Sequence, residues 1–200
     1  MDVYVDNYNT VWAGTLGKGL NSLNAATNRV THYFHDPENT NSIADDNIAA
    51  VIPDNKGGLW IGTFGGLSHY DPNTNIFTNY SHDPNNPASL SDNKVVSLYI
   101  DSKNNLWIGT WGGGLNQLDL NDPLHTDPKT AAFIHYNHNA DDSSSLSEDF
   151  DLVYLRDWRW SSLAWHATRL ESLRCRHQDL QTLHRENRAA QQCRSRHLGR

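Results

Sequence analysis

The first 157 residues of this 200-residue chain contain no cysteine, and the whole chain has a single methionine. Without cysteine that stretch has no disulfide framework, which leaves its compartment open. No apolar run approaches the about 20 residues that a membrane-spanning helix needs. Met1 leads straight into an acidic, polar strand pattern, so the sequence predicts no secretory signal in this chain. Basic residues are scarce as well: residues 1–157 carry 7 Lys and Arg against 20 Asp and Glu, a net of −13. Phosphate binding needs the opposite sign, which excludes nucleic acid as a partner. The remaining 43 residues differ, with 9 Arg and no Lys against 3 acids, a net of +6, both cysteines, one Gly and no Pro. Two compositional regimes therefore meet at about Asp157, dividing the chain into 1–157 and 158–200.

What the first part does contain is a repeat. Trp12, Trp60 and Trp107 sit 48 and 47 residues apart, within Val11–Thr15, Leu59–Thr63 and Leu106–Thr110, which read V-W-A-G-T, L-W-I-G-T and L-W-I-G-T. An Asp lies six residues before each Trp, at Asp6, Asp54 and Asp101, and a Gly-rich turn follows, ending in Gly19-Leu20, Gly66-Leu67 and Gly114-Leu115. Farther on come Tyr33-Phe34-His35-Asp36-Pro37 and Tyr80-Ser81-His82-Asp83-Pro84, with Tyr136-Asn137-His138 as a looser third copy. Asn-Ser-Ile, Ala-Ser-Leu and Ser-Ser-Leu then lead into the next unit.

Each unit reads as four short strands. In the third they are Lys94 to Ile100, Leu106 to Trp111, Leu115 to Leu120 and Ala132 to Tyr136, with Asn121 to Thr130 inserted before the last. The turns use Asp, Asn and Gly, which tolerate positive φ. Four-stranded units of about 40–50 residues with a Trp signature mark propeller blades. The expected fold is all-β: a partial β-propeller of four-stranded antiparallel blades, three of them at about 2–35, 47–81 and 94–138, plus the first strand of a fourth at 150–156. Trp12, Trp60 and Trp107 are expected to fill the space between blades. Gly14, Gly62 and Gly109 would let the neighbouring backbone come close.

The L-W-I-G-T-x-G-G-L run, the Asp71-Pro72 turn and the N-x-V-x-S-L-x-x-D pattern of Asn93 to Asp101 resemble the two-component regulator propeller repeat, over residues 2 to about 157. That resemblance implies the extracytoplasmic sensor region of a hybrid histidine kinase, a family often linked to glycan use. No kinase, phosphoacceptor or receiver segment is present in this sequence, so the function expected is non-catalytic ligand sensing by a segment of such a sensor. The alternatives are a protein–protein interaction scaffold and a propeller lyase. Neighbouring blades of a longer parent chain are the other expected partners.

In an antiparallel meander, the turn after the second strand and the link between blades share one face. That face collects Leu16, Phe64 and Trp111 beside His35, Asp36, His82, Asp83 and His138, and an aromatic platform with polar neighbours suits a glycan or another small polar ligand. Phe64, Trp111, His35, His82, Asp36 and Asp83 are the candidate ligand-binding residues; as ordinary loop residues they need no ligand, with Asp-Pro acting as turn punctuation. No catalytic set is expected, because no Ser or Cys stands in a strained nucleophile turn. Neither a metal nor a cofactor is expected: the three repeated His are already explained by the repeat.

The fourth unit starts on schedule, Leu146 to Asp157 matching Leu90 to Asp101, but Trp158-Arg159-Trp160 follows in place of L-W-I-G-T. Deleting one T at the Asp157–Trp158 junction lets permitted codons restore W-L-G-T in register, aligned with Asp54 to Tyr80 over 27 residues. Residues 158–200 are therefore expected to be a frameshifted reading, unrelated to the repeat and either helical or disordered. Leu163, Leu170, Leu173, Leu180 and Leu183 fall in a heptad pattern that fits a helix. Cys175, His177, His184, Cys193 and His197 match no standard zinc spacing. Three blades and a strand cannot close a ring, which predicts exposed edges, apolar flanks and self-association.

Overall fold

A computed structural model describes residues 2–146 and Asp149. Twelve strands form three separate four-stranded antiparallel sheets. The first holds β1 (Asp2–Val5), β2 (Thr10–Gly14), β3 (Leu20–Asn24) and β4 (Arg29–Tyr33). The second holds β5 (Ile48–Pro53), β6 (Leu59–Thr63), β7 (Gly66–Asp71) and β8 (Ile76–Tyr80). The third holds β9 (Val95–Ile100), β10 (Asn105–Thr110), β11 (Leu115–Asp119) and β12 (Ile134–Tyr136). Each is a simple meander, paired in chain order. β12 begins two residues later than its pattern predicts, because the Phe133 amide donates to the Ala88 carbonyl (2.8 Å), outside the ladder. The insertion before it contains a 3-10 turn, Pro123–Thr126, capped by the Asp122 side chain. The fourth-unit strand at 150–156 and the tail at 158–200 lie outside the described residues.

The recurring Asp explains the first hairpin of every sheet. Asp6 Oδ1 accepts the amides of Tyr8 and Thr10, Asp54 Oδ1 those of Lys56 and Gly58, and Asp101 Oδ1 those of Lys103 and Asn105. Three residues after each Asp the backbone turns left-handed, at Asn9 (φ 59°), Gly57 (φ 101°) and Asn104 (φ 64°). Asn and Gly are the residues that bear this conformation cheaply.

The cores lie between sheets. One joins Trp12 and Leu20 of the first sheet, with Ile43 of the link, to Ile48, Val51, Leu59, Ile61, Tyr70 and Phe77 of the second sheet. The other joins Ala50, Trp60, Leu67 and Tyr80 to Leu98, Leu106, Ile108, Leu118 and Phe133. Trp12 packs on Tyr33 and Tyr70, with ring centroids 5.8 and 5.4 Å apart. The glycine of W-x-G-T meets a side chain more closely than a backbone, which corrects the expectation for it. A Cβ on Gly14 would stand 2.4 Å from Ile48 Cγ2, and one on Gly62 would stand 2.8 Å from Val95 Cγ1. The branched residue opening the next sheet's first strand is pressed into that gap. Gly109 holds the same register in the third sheet, opposite Ser97 and Leu115.

Each sheet thus has a leading face, toward the sheet before it, and a trailing face that carries the Trp. Val51 on the second sheet's leading face is 2% exposed, whereas Val3, at the same register on the first, is 63% exposed. Val5, Leu23 and Val30 share that open face.

Candidate functional site

The face predicted to bind ligand is built from two kinds of segment. After the second strand of each sheet comes Leu16, Phe64 or Trp111, exposed by 58, 37 and 47%. Two of these backbones are held alike: the Phe64 amide donates to the Asn47 carbonyl (3.1 Å) and the Trp111 amide to the Lys94 carbonyl (2.9 Å). Gly17 and Gly19 both donate to the Asp46 carbonyl, and Gly112 and Gly114 to that of Asp149, tying the first and third of these turns to the link that enters the next unit.

The links close on themselves. His35 Nδ1 donates to the Ile43 carbonyl and His82 Nδ1 to the Leu90 carbonyl, both at 2.8 Å, and His138 Nδ1 bonds the Leu146 carbonyl in the same way. A carbonyl only accepts, so Nδ1 carries the proton in each ring. The Asp36 amide donates to Ser42 Oγ, which donates back to the Asp36 carbonyl; Asp83 with Ser89, and Asn139 with Ser145, repeat the exchange. The Asp36 and Asp83 carboxylates accept the Glu38 and Asn85 amides. The structure therefore gives His35, His82, Asp36 and Asp83 a loop-closing task. It leaves Phe64 and Trp111 as side chains exposed to solvent. Among the described residues no three metal-ligating side chains come together, so His35, His82 and His138 stay apart.

The opposite face holds a cleft that the sequence reading missed. It encloses about 320 Å³ between the second sheet's hairpin turns and the third unit's insertion, with Asp54, Trp60, His69, Thr78, Tyr80 and His125 among its walls. In the first and third sheets the Trp indole donates to its Asp, Trp12 to Asp6 Oδ2 and Trp107 to Asp101 Oδ2, both at 3.0 Å. In the second, His69 Nε2 takes Asp54 Oδ2 at 2.8 Å, and buried Trp60 Nε1 has no partner. The His69 ring lies over the indole, with centroids 4.4 Å apart. Burial pushes the Asp54 carboxyl up, but hydrogen bonds from His69 and the Lys56 and Gly58 amides outweigh it and hold the group below its ordinary range. Tyr80 donates to the His125 carbonyl (2.7 Å), and burial pushes its phenol well up, so it stays a neutral donor.

Consecutive four-stranded meanders with their cores between them define a β-propeller repeat protein. Residues 42–65 and 89–112 match the family described as two component regulator propeller. Each matched segment runs from the Ser that closes a link to the turn after W-x-G-T. No curated protein matches the chain. Its fold is similar to the extracellular domain of BT3049 from B. thetaiotaomicron, described as a hybrid two component system, at 27% identity and a TM-score of 0.57, over 68% of this chain and 18% of that one. The corresponding domain of BT4673 from the same organism gives 21% identity, a TM-score of 0.60, and coverage of 74% and 19%. PorZ, a surface component of the type-IX secretion system of Porphyromonas gingivalis, gives 16%, 0.52, 74% and 22%. The last two likenesses concern the fold alone. The chain spans 18% to 22% of the length of these three structures. No helix of the described residues is long and apolar enough to cross a membrane.

Proposed function

We propose that the chain is a non-catalytic segment of the extracytoplasmic sensor of a two-component signalling protein, and that its turn face recognises a glycan or another small polar ligand. One observation carries this reading: Phe64 and Trp111 are held by equivalent backbone hydrogen bonds, stay exposed and differ in side chain, and Leu16 follows the first W-x-G-T in the same way. A rigid scaffold that presents varied side chains from loops is how recognition surfaces are built. The likeness to the extracellular domain of BT3049 supports the sensor setting. Thermal shift with a panel of oligosaccharides tests it. A stabilising ligand is expected, with the shift reduced in Phe64→Ala and Trp111→Ala. No stabilisation by any panel member, or an equal shift in both variants, would overturn the proposal.

The contrast between Val3 and Val51 favours a second kind of partner. In this reading the first sheet's leading face takes a further blade of the same repeat, as the second and third sheets' leading faces do.

A further inference from the structure

We propose that the cleft beside Trp60 and His69 binds an uncharged, hydroxyl-rich small molecule about the size of one sugar ring. This site lies on the opposite face from Phe64 and Trp111 and does not depend on the turn-face reading.

Two departures from the repeat meet there. The first is His69, at the register where the other sheets carry Ser22 and Gln117 beside their Trp. By taking Asp54 it leaves a buried indole N–H without an acceptor, a costly arrangement where the sister blades satisfy theirs. The second is the insertion of the third unit, whose 3-10 turn brings His125 and Thr126 against the second sheet and walls the space. One change lies within the strands, and a separate insertion stands beside it.

The groups facing the cleft select the ligand. Asp54 only accepts, so His69 Nε2 holds a proton, and in the neutral ring Nδ1 is left as an acceptor. Thr78, next to His69 across the ladder, offers a hydroxyl that both donates and accepts. Lys56 offers a donor. Asp54 and Asp71 on the rim oppose an anion, while an ammonium group has nothing to give the lysine. A hydroxyl alone answers donors and acceptors together, and the carbon faces of Trp60, Ile76 and Tyr80 suit the C–H face of a ring. A volume of about 320 Å³ lies at the lower end of ligand pockets, roughly 300 Å³ upward, which limits the occupant to a single ring.

The test uses the whole chain and a panel of neutral pentoses, hexoses and inositol, read by saturation-transfer NMR and by the indole N–H resonance of Trp60. At least one panel member is expected to bind in the millimolar range and to move that resonance. His69→Gln gives the second sheet the residue that the third carries at Gln117, so it is expected to fold and to weaken binding about tenfold. Thr78→Val provides an independent check in the same direction. The proposal fails if both variants bind as the native chain does, or if no panel member moves the Trp60 resonance. If Phe64→Ala alone abolishes binding, the cleft proposal fails while the turn-face function stands.

Discussion

Val3 and Val51 are the same residue at the same register of consecutive sheets, one open and one buried, so a pair of alanine substitutions measures what a blade interface contributes. Val51→Ala removes two methyl groups from the first inter-sheet core. At about 0.8 kcal/mol for each, the lost transfer term is about 1.6 kcal/mol. The unfilled cavity brings the total to about 2–3 kcal/mol. Val3 keeps 63% of its exposure in the folded chain, so only about a third of that transfer term is at stake, about 0.6 kcal/mol with no cavity. Strand propensity changes alike in both variants and cancels in the comparison. Urea unfolding followed by tryptophan fluorescence, at concentrations where sedimentation shows a monomer, is expected to separate the two by about 2 kcal/mol. Equal losses would refute the reasoning, because they would mean that the first sheet's leading face is already covered within one chain.

At higher concentration the open face is expected to drive self-association, and Val30→Lys to suppress it; an unchanged sedimentation profile in that variant would count against the face. Trp107→Phe breaks a hydrogen bond to a carboxylate and is expected to cost about 1–2 kcal/mol more than Trp60→Phe, which removes a donor that has no partner. His82→Ala opens the loop closed on Leu90, with an expected loss of about 1 kcal/mol in thermal unfolding. Burial raises the Asp6, Asp54 and Asp101 carboxyls, but hydrogen bonds outweigh it and hold all three below the usual 3.8. Their folded values lie below their unfolded ones, so their contribution is complete above about pH 5 and is lost as pH falls through 4 toward the folded values. Melting temperature against pH is expected to drop in that window, with a shallower drop in Asp101→Asn.

The repeat was readable because every blade interface imposes the same requirement: an Asp to close the hairpin, a Trp to pack across, a Gly to admit the next strand's branched side chain. Alignment of the chain with itself exposes such positions. The same likeness drew attention to the His-Asp-Pro links. A signal for their loop-closing bonds was present, since His35–Ser42, His82–Ser89 and His138–Ser145 are all seven residues apart, the mark of a loop of fixed length closed by its own side chains. The cleft was hidden for the opposite reason. It arises where copies differ, at His69 and the Asn121–Thr130 insertion, and those differences meet only when the second sheet's trailing face is known to lie against the third unit. Pattern matching discards variation between copies, and here the variation makes the site.

Because the cores lie between the sheets, stability in this architecture is counted in junctions and not in blades. A row of three sheets has two junctions, and each added sheet contributes one more; closing the row into a ring yields a last junction without adding any residue. That final junction joins the ends of a chain already ordered by its neighbours, so the conformational entropy it must overcome is small. An open row and a closed ring built from identical blades should therefore differ in how they unfold. The row frays from its first sheet inward, whereas the ring must break one junction before any sheet is free to leave.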